Sequence, residues 1–370
     1  MSNNSRKVRY AVVGLGWISQ ATLLPGFKNA SDNSELVALV SGDPTKLETL
    51  SKKYRIEKTY SYEDYDECLN SGEVDAVYIG LPNHMHKEYT IRAAEAGVHV
   101  LCEKPMAITE SECLAMIHAC DRNAVKLMIA YRLHFEEANL QAIELIKSGQ
   151  IGEPRIFTSV FTQQVKPGDI RLQKATGGGT LDDIGIYCIN AARYLFQDEP
   201  IEVFATSARK SEERFREVAE MTSAILRFSD DRLASFTCSF GAAPVSTYQV
   251  IGTEGDLRLE SAYGMEGITH YLTKNGETKT CEFPAFDQFA AELVYFSDCI
   301  LNDVHPEPSG MEGLNDLRII RALAQSIETG AFVAIPDLSH HRRPSLEQVI
   351  RLPAIEAPEL VNASDPSGNA

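Results

Sequence analysis

The sequence lacks three features that would place it in a special class of protein. It has no apolar run long enough to span a membrane, and its N-terminus (residues 1–6) is polar, so no signal peptide is predicted. None of its eight cysteines form a C-x-x-C pair, so neither a disulfide framework nor a metal site is indicated. The net charge of −17 makes nucleic acid and anionic membranes poor partners. These absences predict a cytoplasmic protein with reduced, buried thiols.

The residues that are present predict a globular chain of about two domains, since 370 residues with 44% apolar side chains can bury a large core. Up to about residue 130, short apolar runs alternate with amphipathic helical stretches. This alternation is typical of βαβ units and predicts a doubly wound parallel sheet of the Rossmann type. The predicted strands are residues 8–13, 36–40, 76–79, 98–101 and 126–130.

Beyond residue 150, strand-like runs are separated mostly by turns. The runs are residues 155–162, 201–207, 222–228, 233–240 and 256–259, with helices predicted at 181–196 and 310–328. This texture predicts an α+β domain with a large, mostly antiparallel open sheet, packed on helices at one face. The stretches 163–176 and 261–285 are interpreted as specificity loops.

The predicted domain organisation follows from these two sequence patterns. We expect a nucleotide-binding Rossmann domain at residues 1–130 and a substrate-binding and oligomerisation domain at residues 131–335. The remaining segment, residues 336–370, ends in a polar stretch rich in Pro, Ser and Asn that is expected to be loosely held.

A glycine turn follows the first predicted strand. Gly14-Leu15-Gly16 is succeeded by Trp17 and Ile18 at the start of a helical pattern. The first glycine permits the tight turn, and the second lets backbone approach a pyrophosphate at the helix N-terminus. Ser19 stands where the usual fingerprint has a third glycine. The position of this turn after the first strand of a βαβ unit predicts a dinucleotide site.

The end of the second predicted strand distinguishes NADP from NAD. NAD sites place an Asp or Glu there, which holds the ribose 2′-hydroxyl and repels a 2′-phosphate. Here the strand ends at Ser41-Gly42, with Lys46 one helical turn later. Asp43, two residues after Ser41, is a carboxylate that argues against NADP. Its place before a proline, however, also fits an N-cap. We therefore predict NADP, with NAD less favoured.

Lys104 stands at the end of the fourth long apolar run. A buried strand end is a costly place for an ammonium group unless the site needs a charge or a proton donor. Pro105 restricts the preceding residue to an extended conformation. A solvated lysine at a strand end is the ordinary alternative.

Three further segments carry chemical side chains. Leu81-Pro82-Asn83 and His86 follow a predicted strand, and Arg132 closes the last one. Asp183 and Tyr187 are four residues apart, which places them on one face of a predicted helix. Each has an ordinary alternative as a helix-start residue, a cap or a core side chain.

Taken together, these motifs resemble the glucose–fructose oxidoreductase, inositol dehydrogenase and MocA (Gfo/Idh/MocA) family, and they are most similar to the glucose–fructose oxidoreductase branch. The resemblance covers about residues 8–335. The motifs that carry it are residues 11–16, 24–27, 41–42 with 46, 81–83 with 86, 102–106, 131–132 and 177–187.

The resemblance implies hydride transfer between a sugar carbon and C4 of the nicotinamide. By position, Lys104 would bind the reacting hydroxyl, Tyr187 would donate or accept its proton, and Asp183 would orient the sugar and Lys104. Many family members have His where this chain has Tyr187. A lysine ammonium near the phenol would favour the phenolate, which makes tyrosine a better base at neutral pH.

The motifs and the resemblance together define the predicted site, in which no metal ion takes part. Lys104, Tyr187 and Asp183 are the predicted catalytic residues. The predicted cofactor-binding residues are Gly14, Leu15, Gly16, Trp17, Ile18, Ser41, Gly42, Lys46, Leu81, Pro82, Asn83, His86, Glu103, Lys104 and Arg132. The predicted substrate-binding residues are Lys104, Arg132, Arg171, Asp183 and Tyr187.

The leading hypothesis is an NADP-dependent sugar oxidoreductase acting at C1 of an aldopyranose, with a homodimer or homotetramer formed through the open sheet. A glucose–fructose type enzyme that retains NADP is the alternative, and a catalytically silent sensor is a second. Two departures argue against permanent retention: only seven residues precede the first predicted strand, and the tryptophan expected before Arg171-Leu172 is missing.

Overall fold

The structure is a computed structural model that describes residues 6–336, 338 and 343–367. Residues 1–5 of the predicted polar N-terminus, and 337, 339–342 and 368–370 of the predicted C-terminal segment, lie outside the described residues. In the described part, no helix combines the length and the apolar character needed to cross a membrane. Seven of the eight cysteines are buried, as predicted, and Cys281 is exposed.

The strands are β1 Val8–Val13, β2 Ser34–Val40, β3 Lys58–Tyr60, β4 Ala76–Ile79, β5 His99–Cys102, β6 Leu127–Ile129, β7 Pro154–Gln164, β8 Pro200–Ala208, β9 Met221–Phe228, β10 Leu233–Ser239, β11 Gly241–Gly252, β12 Gly255–Glu260, β13 Ile268–Lys274, β14 Glu277–Phe283 and β15 Val333–Ala334. The α-helices are α1 Leu24–Gly26, α2 Pro44–Tyr54, α3 Tyr65–Asn70, α4 His86–Glu95, α5 Glu110–Arg122, α6 Glu137–Lys147, α7 Ile186–Phe196, α8 Gln288–Leu301 and α9 Gly310–Thr329.

The chain forms two compact units. Unit 1 comprises Met1–Arg132, Asp287–Gly313 and Ile350–Asp365. Unit 2 comprises Leu133–Phe286, Leu314–Val349 and Pro366–Ala370.

Unit 1 contains a six-stranded parallel sheet in the order β3-β2-β1-β4-β5-β6. The strand order reverses between β1 and β4, and ligands of such sheets bind in the crevice beyond the strand ends at this reversal. Helix α8, from much later in the chain, packs against β1 and β2. There Ser297 hydrogen-bonds to Tyr10 (2.8 Å) and to Ser34 (2.7 Å).

The five predicted strands of this sheet are confirmed to within two residues at each end. The sixth, β3, escaped prediction because it is only three residues long and two of them are exposed. A run this short leaves no hydrophobic periodicity to read.

Unit 2 contains a nine-stranded sheet in the order β14-β13-β12-β11-β7-β10-β9-β8-β15. Its described pairs are antiparallel apart from β7 with β10, so the prediction of a mostly antiparallel sheet is confirmed. Helix α7 packs against β7, and α6 packs against β13. The outward-facing side of the sheet exposes Ile156, Val160 and Ile225.

The interpretation of residues 261–285 as a loop is wrong for most of its length. This stretch contains β13 and β14, which form an antiparallel hairpin. Asn275 and Gly276, with φ of 55° and 79°, make the two-residue connection between them. Asn-Gly is the strongest short-range hairpin signal in a sequence, so this element was readable.

Candidate active site

The glycine turn after β1 is shaped by the close approach of two strand ends. Gly14 has φ of +90°, and a Cβ there would lie 2.7 Å from the carbonyl oxygen of Gly80. At Gly16, by contrast, a Cβ would meet no atom within 4 Å. Gly14 is therefore required by the fold, whereas Gly16 leaves open the space in front of the helix. This cradle fits a pyrophosphate group.

Ser19 explains why the third glycine of the usual fingerprint can be absent. Its hydroxyl is fully buried and donates a 2.6 Å hydrogen bond to the carbonyl oxygen of Gly14. It thus fixes the turn from within. A π-helical turn, Ser19–Leu23, follows, and such turns are frequent at functional sites.

At the end of β2, Ser41 is buried at 3% exposure and accepts a 3.2 Å hydrogen bond from the backbone N–H of Asp43. Asp43 caps α2, since its Oδ1 accepts from the N–H groups of Thr45 (2.9 Å) and Lys46 (3.2 Å). The N-cap interpretation of Asp43 is confirmed. Gly42 is exposed beside it, and the Lys46 side chain is half-buried in the first turn of α2.

His86 is a positioning group with no exposed surface. Its ring nitrogens lie 2.8 Å from the carbonyl oxygen of Leu81 and 3.0 Å from that of Pro105. Burial lowers the pKa of His86. The imidazole thus packs between the loop after β4, where Pro82 and Asn83 are half-buried, and the loop after β5. That second loop carries Lys104, also half-buried, joined to Pro105 by a cis peptide bond.

Glu103, next to Lys104, is engaged from two sides. The Tyr78 hydroxyl donates to its Oε1 over 2.7 Å, and the Lys104 N–H donates to its Oε2 over 3.2 Å. Burial raises the pKa of Glu103, with the charge of Lys104 opposing the rise.

Glu292, on α8, was not among the predicted site residues. Its side chain has no exposed surface, and neither carboxyl oxygen has a hydrogen-bond partner among the described residues. Burial, followed by the neighbouring Glu103, raises the pKa of Glu292 well above its usual range. The charge of Arg132, which is 6% exposed, opposes the rise in pKa of both Glu103 and Glu292. Arg132 also donates a hydrogen bond to Gln288. A glutamate in the apolar helix sequence around residue 292 was the only available signal.

In unit 2, Asp183 is held by Arg171. The Nε of Arg171 lies 3.0 Å from Asp183 Oδ2, and its NH1 lies 3.3 Å from Asp169. Burial lowers the pKa of Arg171, but Asp183 and Asp169 outweigh burial and hold it above its ordinary value. Gln163 donates a longer, 3.4 Å bond to the same oxygen of Asp183. The carboxylate therefore has a fixed orientation.

The adjacent acid, Asp182, has a different environment. It pairs with Arg321 of α9, and burial raises its pKa to about 6. Asp183 and Asp182 thus have separate partners, a distinction that the sequence could not make. Both lie in a π-helical turn, Leu181–Gly185, whereas Tyr187 lies in the α-helix that follows. The predicted helix over 181–196 is confirmed in its bounds, and its first turn is π-helical.

Tyr187 is half-buried, and its ring packs against two other aromatic rings that also contact each other. The ring centroids of Phe161 and Tyr263 lie 5.5 Å and 5.9 Å from that of Tyr187. Tyr263 is in turn fixed by a 2.8 Å hydrogen bond to Ser159. Aromatic packing of this kind limits the orientations open to the ring of Tyr187.

The predicted site residues therefore fall into two groups. Unit 1 carries every predicted nucleotide-binding residue and Lys104, whereas unit 2 carries Arg171, Asp183 and Tyr187. Each group is ordered by contacts within its own unit.

Comparison with known proteins identifies the family. Residues 8–131 match the model of an oxidoreductase family with an NAD-binding Rossmann fold, and residues 139–258 match the GFO/IDH/MocA C-terminal domain. The chain belongs to the Gfo/Idh/MocA family. The predicted family membership and the prediction of an oxidoreductase are confirmed.

Several members of the Gfo/Idh/MocA family are similar over most of the chain. A D-xylose 1-dehydrogenase [NADP(+)] of Haloarcula marismortui is 35% identical over 337 residues, which is 89% of this chain and 93% of that protein. D-xylose 1-dehydrogenase (NADP(+)) 2 of Haloferax volcanii is 30% identical, over 88% of this chain and 99% of that one.

The fold is also similar to a solved structure of the family, the aldose-aldose oxidoreductase of Caulobacter crescentus complexed with glycerol. The TM-score is 0.85 at 37% identity, and the match covers 89% of this chain and 100% of that one. NADP, which the strand end at Ser41 predicted, is the cofactor in the names of both xylose dehydrogenases.

Proposed function

We propose that the protein is an NADP-dependent oxidoreductase that oxidises C1 of an aldopyranose to a lactone, or catalyses the reverse reduction. The observation that carries the proposal is the ordered arrangement in unit 2, where Arg171 holds Asp183 one turn from Tyr187. The relatives named as aldose enzymes support the choice of substrate.

The nucleotide would be held by residues of unit 1. Gly14 permits the tight turn, and Gly16 leaves room for the pyrophosphate at the start of a helix. Ser41 and Lys46 suit a 2′-phosphate because they offer donors rather than a carboxylate at the end of β2. Bound NADP supplies the hydride acceptor or donor. The residues present are thus compatible with this cofactor.

We assign the proton chemistry to three side chains of the chain itself. In the oxidative direction, Tyr187 accepts the proton of the sugar C1 hydroxyl while the C1 hydride leaves. Lys104 donates a hydrogen bond to the same sugar oxygen and stabilises the charge that develops on it. Asp183, fixed by Arg171, orients the sugar through a neighbouring hydroxyl.

A sugar panel assayed with both nicotinamide cofactors tests this function. We expect formation of NADPH with one or more aldopyranoses, a lactone as the product, and much slower turnover with NAD. No turnover of any aldose in either direction would contradict the proposal. If turnover needs no added NADP and nucleotide stays with the protein through gel filtration, the glucose–fructose type of reaction is favoured instead.

The outer face of the unit 2 sheet supports a second copy of the chain as partner. Ile156, Val160 and Ile225 are 43%, 38% and 39% exposed there, and exposed apolar side chains on a sheet face are typical of a subunit interface. We expect a dimer or tetramer by light scattering. Ile225→Glu should shift it toward the monomer, whereas the same change at an exposed apolar residue outside that sheet, Val304→Glu, should not.

A further inference from the structure

The C-terminal segment of unit 1 reaches the nucleotide-binding turn. Gln20, 1% exposed, lies in the π-helical turn after the glycines and donates from Nε2 to the carbonyl oxygens of both Leu15 and Val361, each over 2.9 Å. The N–H of Val361 donates back to Gln20 Oε1 over 2.8 Å. One buried amide therefore joins the glycine turn to the backbone of the C-terminal segment.

Residues on either side of Val361 contact α2 and its cap. Lys53, in the last turn of α2, donates to the carbonyl oxygen of Glu359 over 3.3 Å. At the other end of the helix, Asn362 donates from Nδ2 to Asp43 Oδ2 over 3.0 Å. The segment 359–362 thus follows α2 and ends at the N-cap residue, beside the strand end that distinguishes NADP from NAD.

Asp43 has both carboxyl oxygens engaged as a result. Oδ1 accepts from the N–H groups of Thr45 and Lys46, and Oδ2 accepts from Asn362. The hydrogen bond from Asn362 is the main cause that holds the pKa of Asp43 below its usual range. A carboxylate near the end of β2 would otherwise accept a hydrogen bond from a ribose 2′-hydroxyl and repel a 2′-phosphate.

We propose that Asn362 is a specificity-determining residue that acts through Asp43. By occupying Oδ2, its amide takes up the carboxylate oxygen that would otherwise accept from a ribose 2′-hydroxyl and so favour NAD. The C-terminal segment then contributes to the nucleotide preference of the site, and Gln20 holds that segment in position. This inference rests on the proposed NADP dependence.

Replacement of Asn362 by glycine is the sharpest test. Asn362 has φ of +46°, a left-handed conformation that asparagine and glycine adopt readily, so Asn362→Gly removes the amide without straining the backbone. Asp43→Asn provides the second arm, because asparagine caps a helix as well as aspartate does but carries no charge. The single and double variants form a double-mutant cycle in the full-length protein.

The readout is the equilibrium Kd for NADP+ and for NAD+, measured by titration calorimetry without sugar. We expect Asn362→Gly to lower the preference for NADP+ about fivefold, the order of effect that one lost hydrogen bond produces. In the Asp43→Asn background the same change should leave the preference unaltered. Asn302→Ala, which removes another exposed asparagine amide at the end of α8, is the matched control.

The outcomes separate this inference from the proposed function. An unchanged preference in Asn362→Gly, or an equal loss of affinity for both nucleotides, overturns the role of Asn362 while NADP dependence stands. A loss of preference that persists in the Asp43→Asn background also overturns it, because the effect then does not pass through Asp43. If the wild-type protein binds neither nucleotide, the proposed function fails as well.

Discussion

The guanidinium of Arg171 lies 3.0 Å from the carboxylate of Asp183, and a glycine turn stands between the two residues in sequence. The turn keeps the loop with Arg171 next to the helix with Asp183. Gly178 donates from its N–H to the carbonyl oxygen of Gln173 over 3.0 Å, and a Cβ on Gly178 would lie 2.4 Å from the carbonyl oxygen of Arg171. The absence of a side chain at Gly178 is thus what permits the pair.

Gly178→Ala should therefore separate Arg171 from Asp183. Because small displacements of positioning groups lower rates strongly, we expect kcat/KM to fall about 10- to 100-fold. Arg171→Met, which removes the ion pair without touching the turn, should show a loss in the same direction. Steady-state kinetics, with circular dichroism as a folding check, measures both losses. Full activity in Arg171→Met would separate the role of the turn from that of the ion pair.

Lys104→Met and Tyr187→Phe should each abolish most turnover, and Tyr187→Phe should leave NADP affinity nearly intact. Loss of a positioned proton acceptor or of an oxygen-stabilising donor lowers kcat by about 10²- to 10⁴-fold. Single-turnover kinetics and nucleotide titration measure the two effects separately. Tyr271→Phe, on the hairpin strand β13, is the matched control. Full activity in either Lys104→Met or Tyr187→Phe would contradict the proposed mechanism.

Gly14→Ala and Gly16→Ala should have different consequences, although the two glycines are two residues apart. Alanine at Gly14 meets the Gly80 carbonyl and must adopt φ of +90°, so we expect a lower midpoint of thermal unfolding. Alanine at Gly16 meets no protein atom and should leave that midpoint unchanged, but weaken NADP binding about tenfold or more. Equal destabilisation by both would show that Gly16 is structural.

Ser41→Asp should shift the cofactor preference toward NAD. The new carboxylate would accept from a ribose 2′-hydroxyl and repel a 2′-phosphate, so the ratio of Kd values should change about tenfold. Ser41→Ala removes the hydroxyl without adding charge, so it separates the loss of the serine hydroxyl from the effect of the new carboxylate. An unchanged preference for NADP in Ser41→Asp would show that the 2′-phosphate binds elsewhere.

Glu292→Gln should make the stability of the protein less dependent on pH. The pKa of Glu292 is raised in the fold, so the folded carboxyl keeps its proton at pH values where the unfolded one has lost it. Its stabilising contribution is full below the unfolded pKa and is lost as pH rises through the folded pKa. The charged groups that act on the Glu292 carboxyl are those of Glu103, Arg132 and Asp287.

Urea unfolding at pH 5 and pH 8 measures this effect. We expect the loss of stability between the two pH values to be smaller in Glu292→Gln than in the wild type. Glu95→Gln, at an exposed position on α4, should leave the loss as it is in the wild type. If Glu292→Gln showed the wild-type pH dependence, Glu292 would not be a protonated group of the fold.

Local sequence patterns predicted most of the individual elements. Apolar runs located five strands of the first sheet, and a proline after Asp43 correctly indicated a helix cap. The Asn275-Gly276 hairpin was equally readable but was interpreted as a loop. The environment of His86 was not readable, since its two backbone partners come from different loops.

The sequence alone determined the parallel sheet, the glycine turn and the residue types at the strand ends, because these depend on periodicity and on neighbours close along the chain. Only the tertiary structure decided which residues from distant parts of the chain contact the turn and the strand ends. Helix α8 brings Glu292 beside Glu103, and the C-terminal segment brings Asn362 to Asp43. Contacts between residues hundreds of positions apart depend on how the chain packs, and no local pattern encodes them.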